Sequence, residues 1–142
     1  MDDKFVWKKK YEIGVYEIDA EHQIFLKIIK KVDYALKNKL DEMIISSIVK
    51  ELFLYADFHF CSEENIMLAN NYPDYLSHKE EHSKLLDTLS NLIVTFNVQI
   101  ISHEKLMEML TDWFINHTTK IDLKLGNYLN ELPQHEKIIL DL

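Results

Sequence analysis

Chain breakers are scarce in this sequence: two glycines and two prolines occur among 142 residues. All-β folds need such residues at turn after turn, so their scarcity argues for helices joined by few connections. A single cysteine excludes an internal disulfide and suits a reducing compartment. Long apolar runs are missing as well. No stretch approaches the roughly 20 apolar residues of a membrane span, and the charged start Met1-Asp2-Asp3-Lys4 leads into no run of signal-peptide length. Excess positive charge is also lacking. A net charge of −8 argues against nucleic acid, whose phosphates require clustered Lys and Arg. The short run Lys8-Lys9-Lys10 reads as a solvated arm. The expectation is a cytoplasmic protein of one-domain length, with no membrane or nucleic acid as partner.

What is present is a period. Residues 1–17 form an irregular N-terminal arm with aromatic anchors Phe5, Trp7, Tyr11 and Tyr16 and a turn near Gly14. Four helical segments are expected at about 19–38, 41–69, 73–98 and 103–131, and residues 132–142 are left as a C-terminal tail. Asp19, Asp41 and Ser102 stand where N-caps are wanted. Pro73 suits a first helical turn and Pro133 a stop. Short connections place consecutive helices antiparallel, so the fold class is all-α, an up-down-up-down four-helix bundle spanning 19–131.

The apolar stripes of that bundle advance by three and four residues. They run Ile18, His22, Phe25, Ile29, Val32, Leu36 in the first helix, and Ile45, Val49, Leu52, Ala56, His59, Glu63, Ile66 in the second. The third gives Tyr75, His78, His82, Leu85, Leu89, Leu92, Phe96, and the fourth Leu106, Leu110, Trp113, His117, Ile121, Leu125, Tyr128. Six titratable side chains thus occupy core positions: His22, His59, Glu63, His78, His82 and His117. Burying an unpaired carboxylate or imidazole is costly, and a metal relieves the cost of all six together. Up-down alternation also brings them, with Asp122, to one end of the bundle. His117 and Asp122 are five residues apart, about 140° at ~100° per residue. Either Asp122 reaches around from the edge of the stripe, or one π-type turn between them brings both into line.

Five imidazoles and two carboxylates exceed the needs of one tetrahedral zinc. They suit two metals; mixed N/O donors suit iron best, with manganese, zinc or cobalt as possible substitutes. The set differs from that of ferritin-like oxidases, which use four Glu and two Glu-x-x-His pairs.

These residues resemble the hemerythrin family, in its single-domain bacterial form. The resemblance is carried by Trp7…Gly14-Val15…Ile18-Asp19-Ala20-Glu21-His22, His59-Phe60-Cys61-Ser62-Glu63-Glu64, His78-Lys79-Glu80-Glu81-His82, and Trp113-Phe114-Ile115-Asn116-His117 followed by Asp122. It implies one iron on His78, His82 and His117 and a second on His22 and His59. Glu63, Asp122 and an oxo or hydroxo group would bridge the two. It also implies a vacant position at the second iron where dioxygen binds reversibly, in a pocket of Phe25, Phe60, Trp113 and Thr118. Thr118 departs from the usual apolar Ile; its hydroxyl is expected to bond back to a helix carbonyl, or otherwise to face the bound oxygen or admit water and hasten oxidation. Glu21 stands where Gln is commoner and is expected outward or behind a ligand.

The function so implied is oxygen carriage, storage or buffering, without enzymatic turnover. The alternatives are oxygen or nitric-oxide sensing through a separate partner, and protection or repair of oxygen-labile iron–sulfur enzymes. Cys61 is expected to be a small packing residue; His103, His135, Glu64, Glu80 and Glu81 are expected at the surface.

Overall fold

A computed structural model describes residues 5–97 and 101–140. The expected end of the third helix at residue 98, the charged start at residues 1–4 and the last two tail residues lie outside that range. The described chain is helical, in the order α1 (Tyr16–Lys37), α2 (Glu42–Ala69), α3 (Tyr75–Asn97), α4 (His103–Asn116), a π-helical turn (His117–Asp122) and α5 (Leu123–Glu131). The last three elements follow one another without a break and together make the fourth helix of an antiparallel bundle. Short 3₁₀ turns sit at Lys9–Tyr11 in the arm and Gln134–Glu136 in the tail.

Two of the three expected caps form. Asp41 accepts from the Met43 N–H and Ser102 from the Lys105 N–H. Asp19 does something else. The first helix begins at Tyr16, so Asp19 lies inside it and reaches back to accept from the Ile13 and Gly14 N–H groups at 2.8 and 3.1 Å. Its carboxylate therefore fixes the entry of the arm, where Gly14 adopts a φ of +83° that an L side chain resists. Pro73 stands in the turn before α3 rather than in its first helical turn. Phe5 and Tyr11 anchor the arm in the core as expected, and Trp7 packs against it. Tyr16 does not: it is 81% exposed.

The stripes form the core with their histidines included. Ile18, His22, Phe25, Ile29 and Val32 are buried on α1, and Val49, Leu52, Ala56, His59, Glu63 and Ile66 on α2. In the fourth helix the buried line steps from His117 by five to Asp122 and continues through Leu125 and Leu129, leaving Ile121 and Tyr128 half-buried. The apolar core has two parts. The larger holds Phe25, Leu26, Ile29, Leu52, Leu89, Leu110 and Phe114; the smaller holds Ile13, Val15, Ile18, Ile66, Met67, Tyr72, Leu125 and Leu129. Burying a side chain of this kind fully contributes about 1.5–3 kcal/mol.

The arm and tail close the smaller part. A Cβ on Gly126 would lie 2.3 Å from the Ile13 carbonyl oxygen, so only glycine lets the arm cross α5 this closely. The Asn70 side chain accepts from the Ile138 N–H and donates to its carbonyl at 2.7 and 2.9 Å. That pair of bonds holds the tail on the bundle.

Candidate metal centre

Between the two parts of the core lie all seven candidate ligands: His22, His59, Glu63, His78, His82, His117 and Asp122. Every one is buried, and Glu63 and Asp122 show no exposed surface at all. They form two overlapping groups whose ligand atoms lie within 4.8 Å of one another: Glu63, His78, His82, His117, Asp122, and His22, His59, Glu63, Asp122. The two carboxylates belong to both groups.

Each carboxylate divides its oxygens between the groups. Glu63 Oε1 lies 2.7 Å from His78 Nε2 and 3.1 Å from His82 Nε2. Its Oε2 faces His59 Nε2 at 3.5 Å and His22 Nε2 at 3.8 Å. Asp122 Oδ1 lies 3.0 Å from His117 Nε2 and 3.1 Å from His78 Nε2, while Oδ2 lies 3.0 Å from His22 Nε2. The helix positions account for this. His59/Glu63 and His78/His82 sit four apart on single helix faces. The π turn delivers Asp122, which regular α geometry would carry about 140° away at ~100° per residue.

The donors fit a pair of cations by a direct test. Buried polar atoms are normally hydrogen-bonded. Here, despite the short approaches, both ring nitrogens of His22 and His117, His59 Nε2, Glu63 Oε2 and Asp122 Oδ2 make no well-aligned hydrogen bond among the described residues. Such atoms facing one another are costly until a cation takes their lone pairs. Without one, the cluster attracts protons. Burial alone would lower the His78 pKa, but hydrogen bonds to Asp122 and Glu63 raise it to about 9. Burial and mutual repulsion push Glu63 upward, yet the surrounding histidines hold it below the ordinary carboxylate range. The same balance holds Asp122 well below that range, His117 being its strongest stabilising neighbour.

Two further carboxylates stand behind the histidines. The Glu21 carboxylate meets His59 Nδ1 at 2.7 Å and accepts from the Ser62 hydroxyl at 2.9 Å. Glu64 meets His82 Nδ1 at 2.8 Å. Such partners fix the ring and leave the Nε2 lone pair for a metal. Glu64 is therefore not a solvated residue, contrary to the sequence expectation. The only sequence signal for it is adjacency to Glu63, because its reach to His82 depends on how α2 packs against α3.

Beside His22 and His59 lies a cavity of ≈ 10 Å³, lined also by Phe25, Phe60, Trp113, Phe114, His117 and Thr118. All four expected pocket residues are present. Phe114 is an addition, 6.1 Å from His22 and 5.6 Å from Phe25 between ring centres. The volume is about that of one water-sized probe, so the cavity admits a very small molecule and little else. Thr118 is 1% exposed, but the expected bond to the carbonyl four residues back does not form among the described residues. Its neighbour Thr119 makes that kind of bond instead, to the Ile115 carbonyl at 2.7 Å.

Two smaller expectations change and a third stands. Cys61 is exposed, not packed. His103 is half-buried, with Nε2 3.2 Å from the Asp33 carboxylate. His135 is exposed as expected.

Comparison with known proteins places this geometry. Residues 13–129 match the family described as "Hemerythrin HHE cation binding domain". A bacteriohemerythrin of Clostridium acetobutylicum is 31% identical over 129 residues, covering 83% of this chain and 95% of the relative. A hemerythrin-like protein of Naegleria gruberi is 30% identical over 126 residues, 88% of this chain and 93% of the relative. A myohemerythrin of Theromyzon tessulatum is 27% identical over 122 residues, 86% and 91%.

Proposed function

Because the chain belongs to the hemerythrin family, we propose that it holds two iron ions and binds dioxygen reversibly, as a carrier, store or buffer of oxygen and not as a catalyst. The observation that carries this reading is the splitting of Glu63 and Asp122, each with one oxygen toward either histidine group. That is the arrangement of two bridging carboxylates.

His78, His82 and His117 would hold one ion, and His22 and His59 the other. The first ion would have three histidines and the second two, so an open position would belong to the second. Mixed imidazole and carboxylate donors suit iron. When bound, the ion pair supplies redox-active coordination at which dioxygen is captured and released.

The chain's own residues do the rest. Glu21 and Glu64 orient His59 and His82 through Nδ1. Phe25, Phe60, Trp113 and Phe114 wall the cavity with apolar surface and keep water from the two-histidine side. A dry site favours release of the captured gas unchanged over side reactions. Thr118 places the one hydroxyl in that wall. The whole chain is read as one hemerythrin-like domain in the cytoplasm, in keeping with a lone cysteine and with no described helix long and apolar enough to cross a membrane.

The test is spectroscopic. Iron-loaded protein reduced without air should gain a visible charge-transfer band on adding oxygen and lose it on degassing. A band that never reverses, or none at all, overturns the reading.

A further inference from the structure

A reversible oxygen carrier that becomes fully oxidised is useless until it is reduced again, and its iron pair is buried. Where electrons enter is therefore a question about the surface. A groove of ≈ 600 Å³ runs between α1 and α2. Its walls are apolar and exposed, with Ile24 47% and Leu54 54% accessible. Its rim carries Lys27, Lys31 and Lys50; Lys31 pairs with Glu51 at 3.0 Å, and Lys27 and Lys50 leave the rim net positive on a chain of net charge −8.

At one end of the groove stands Tyr55. Its ring is parallel to that of His59, 6° between planes and 6.4 Å between centres. Its hydroxyl donates at 2.6 Å to the backbone carbonyl of Glu21, the residue whose carboxylate meets His59 Nδ1. Exposed Phe58 packs on the outer side of Tyr55 at 5.8 Å. A single ring thus connects the groove to a ligand of the two-histidine ion. His78 also borders the surface, at a depression rimmed by Asp74, Glu81, Lys120 and Lys124. Two carboxylates and two lysines balance there, so that site attracts neither sign of charge.

We propose that the groove between α1 and α2 is the docking surface for a small acidic one-electron carrier protein, and that electrons pass by way of the Tyr55 ring to His59. The proposal rests on the iron reading of the seven side chains. The step balances with a ferredoxin as donor: two [2Fe–2S] clusters each lose one electron, and two ferric ions become ferrous. A proton from solvent accompanies them where the bridging group is oxo. Tyr55 keeps its O–H bond and serves only as the medium between donor and ligand. Lysine steering of an acidic partner raises association rates by 10–10³-fold and fades with salt.

The experiment mixes oxidised iron-loaded protein with a reduced, net-negative [2Fe–2S] ferredoxin and follows both spectra. Combined Lys27→Glu, Lys31→Glu and Lys50→Glu should slow reduction at least about tenfold at low salt, with dithionite reduction and oxygen binding unchanged. Tyr55→Leu should slow the saturated rate, whereas Tyr55→Phe, which keeps the ring, should not. Ferredoxin titrated into the metal-free protein should perturb amide signals along α1 and α2, a readout independent of iron. Reduction of the lysine variant at the unaltered rate, or perturbations confined to the His78 face or absent, overturns the proposal. Loss of reversible oxygen binding with the amide signals still perturbed would instead sink the oxygen reading and leave the docking surface standing.

Discussion

His22 and His59 meet the shared carboxylates beside a small cavity of mainly aromatic side chains, whereas His78 backs onto a surface depression with Asp74, Glu81, Lys120 and Lys124 around it. The donors on the two sides are chemically the same. Their neighbours differ, and so does their number: two histidines on the apolar side, three on the other. Iron is held by donor type, while access is decided by what lies behind the donors. On the proposed reading, an apolar neighbourhood on the side with fewer histidines would keep one position both open and dry.

The most direct way to break this comparison is to remove what the sides share. Glu63→Ala should take bound iron from two ions per chain to fewer than one, measured by metal analysis after gel filtration. Single-sided changes come next. His59→Ala should leave one ion, held by the three-histidine side, and abolish the oxygen-dependent band. His82→Ala should also cost an ion, but from the other side. Equal loss of both ions in the two variants would show that the sides do not fill separately.

Behind the ligands, Glu21→Ala and Glu64→Ala should each weaken metal binding about 10–100-fold, the usual cost of losing such a partner, read by competition with a chelator. In the cavity wall, Thr118→Ile should slow oxidation of the oxygenated protein by about fivefold, the factor worth roughly 1 kcal/mol. Its added methyl should also lower the melting temperature where packing is already tight.

The smallest effect is expected from pH on the metal-free protein. The His78 pKa is raised from 6.5 to about 9, so its contribution is complete below pH 6.5 and is lost as pH rises through about 9. Glu63 and Asp122 are lowered from 4.5 and 3.8, so theirs is complete above those values and is lost as pH falls. Chemical denaturation should therefore find the metal-free protein most stable between about pH 4.5 and 6.5. Loaded protein should lack the alkaline decline, because metal replaces the proton.

The candidate ligands were legible because burial of polar groups violates a simple pattern. His59, Glu63, His78 and His82 fall on stripes that only apolar residues should occupy, and of the two ways to reconcile the five-residue step to Asp122 the structure takes the π turn. Other features depend on distances between helices, which periodicity does not encode. Glu64 lies off the stripe of α2 and finds His82 only across the α2–α3 contact. Phe114 adjoins Trp113 and enters the cavity wall because α1 brings His22 and Phe25 against it. Asp19 looks like a helix cap, yet the helix starts earlier and the carboxylate serves the arm.

The π turn has a consequence beyond the ligand it delivers. It holds one residue more than regular helical geometry needs, and everything after it is re-phased by about 100°. Leu125 and Leu129 face the smaller core, and Gly126 meets the Ile13 carbonyl, only in the frame set by that surplus residue. Deleting Thr119 would restore an unbroken α-helix and rotate the whole C-terminal segment. The leucines would leave the core, and the chain crossing at Gly126 would meet a side chain instead. The surplus residue thus works as a key shared by two locks, so the shape of the arm–helix crossing is tied to the spacing of the metal donors.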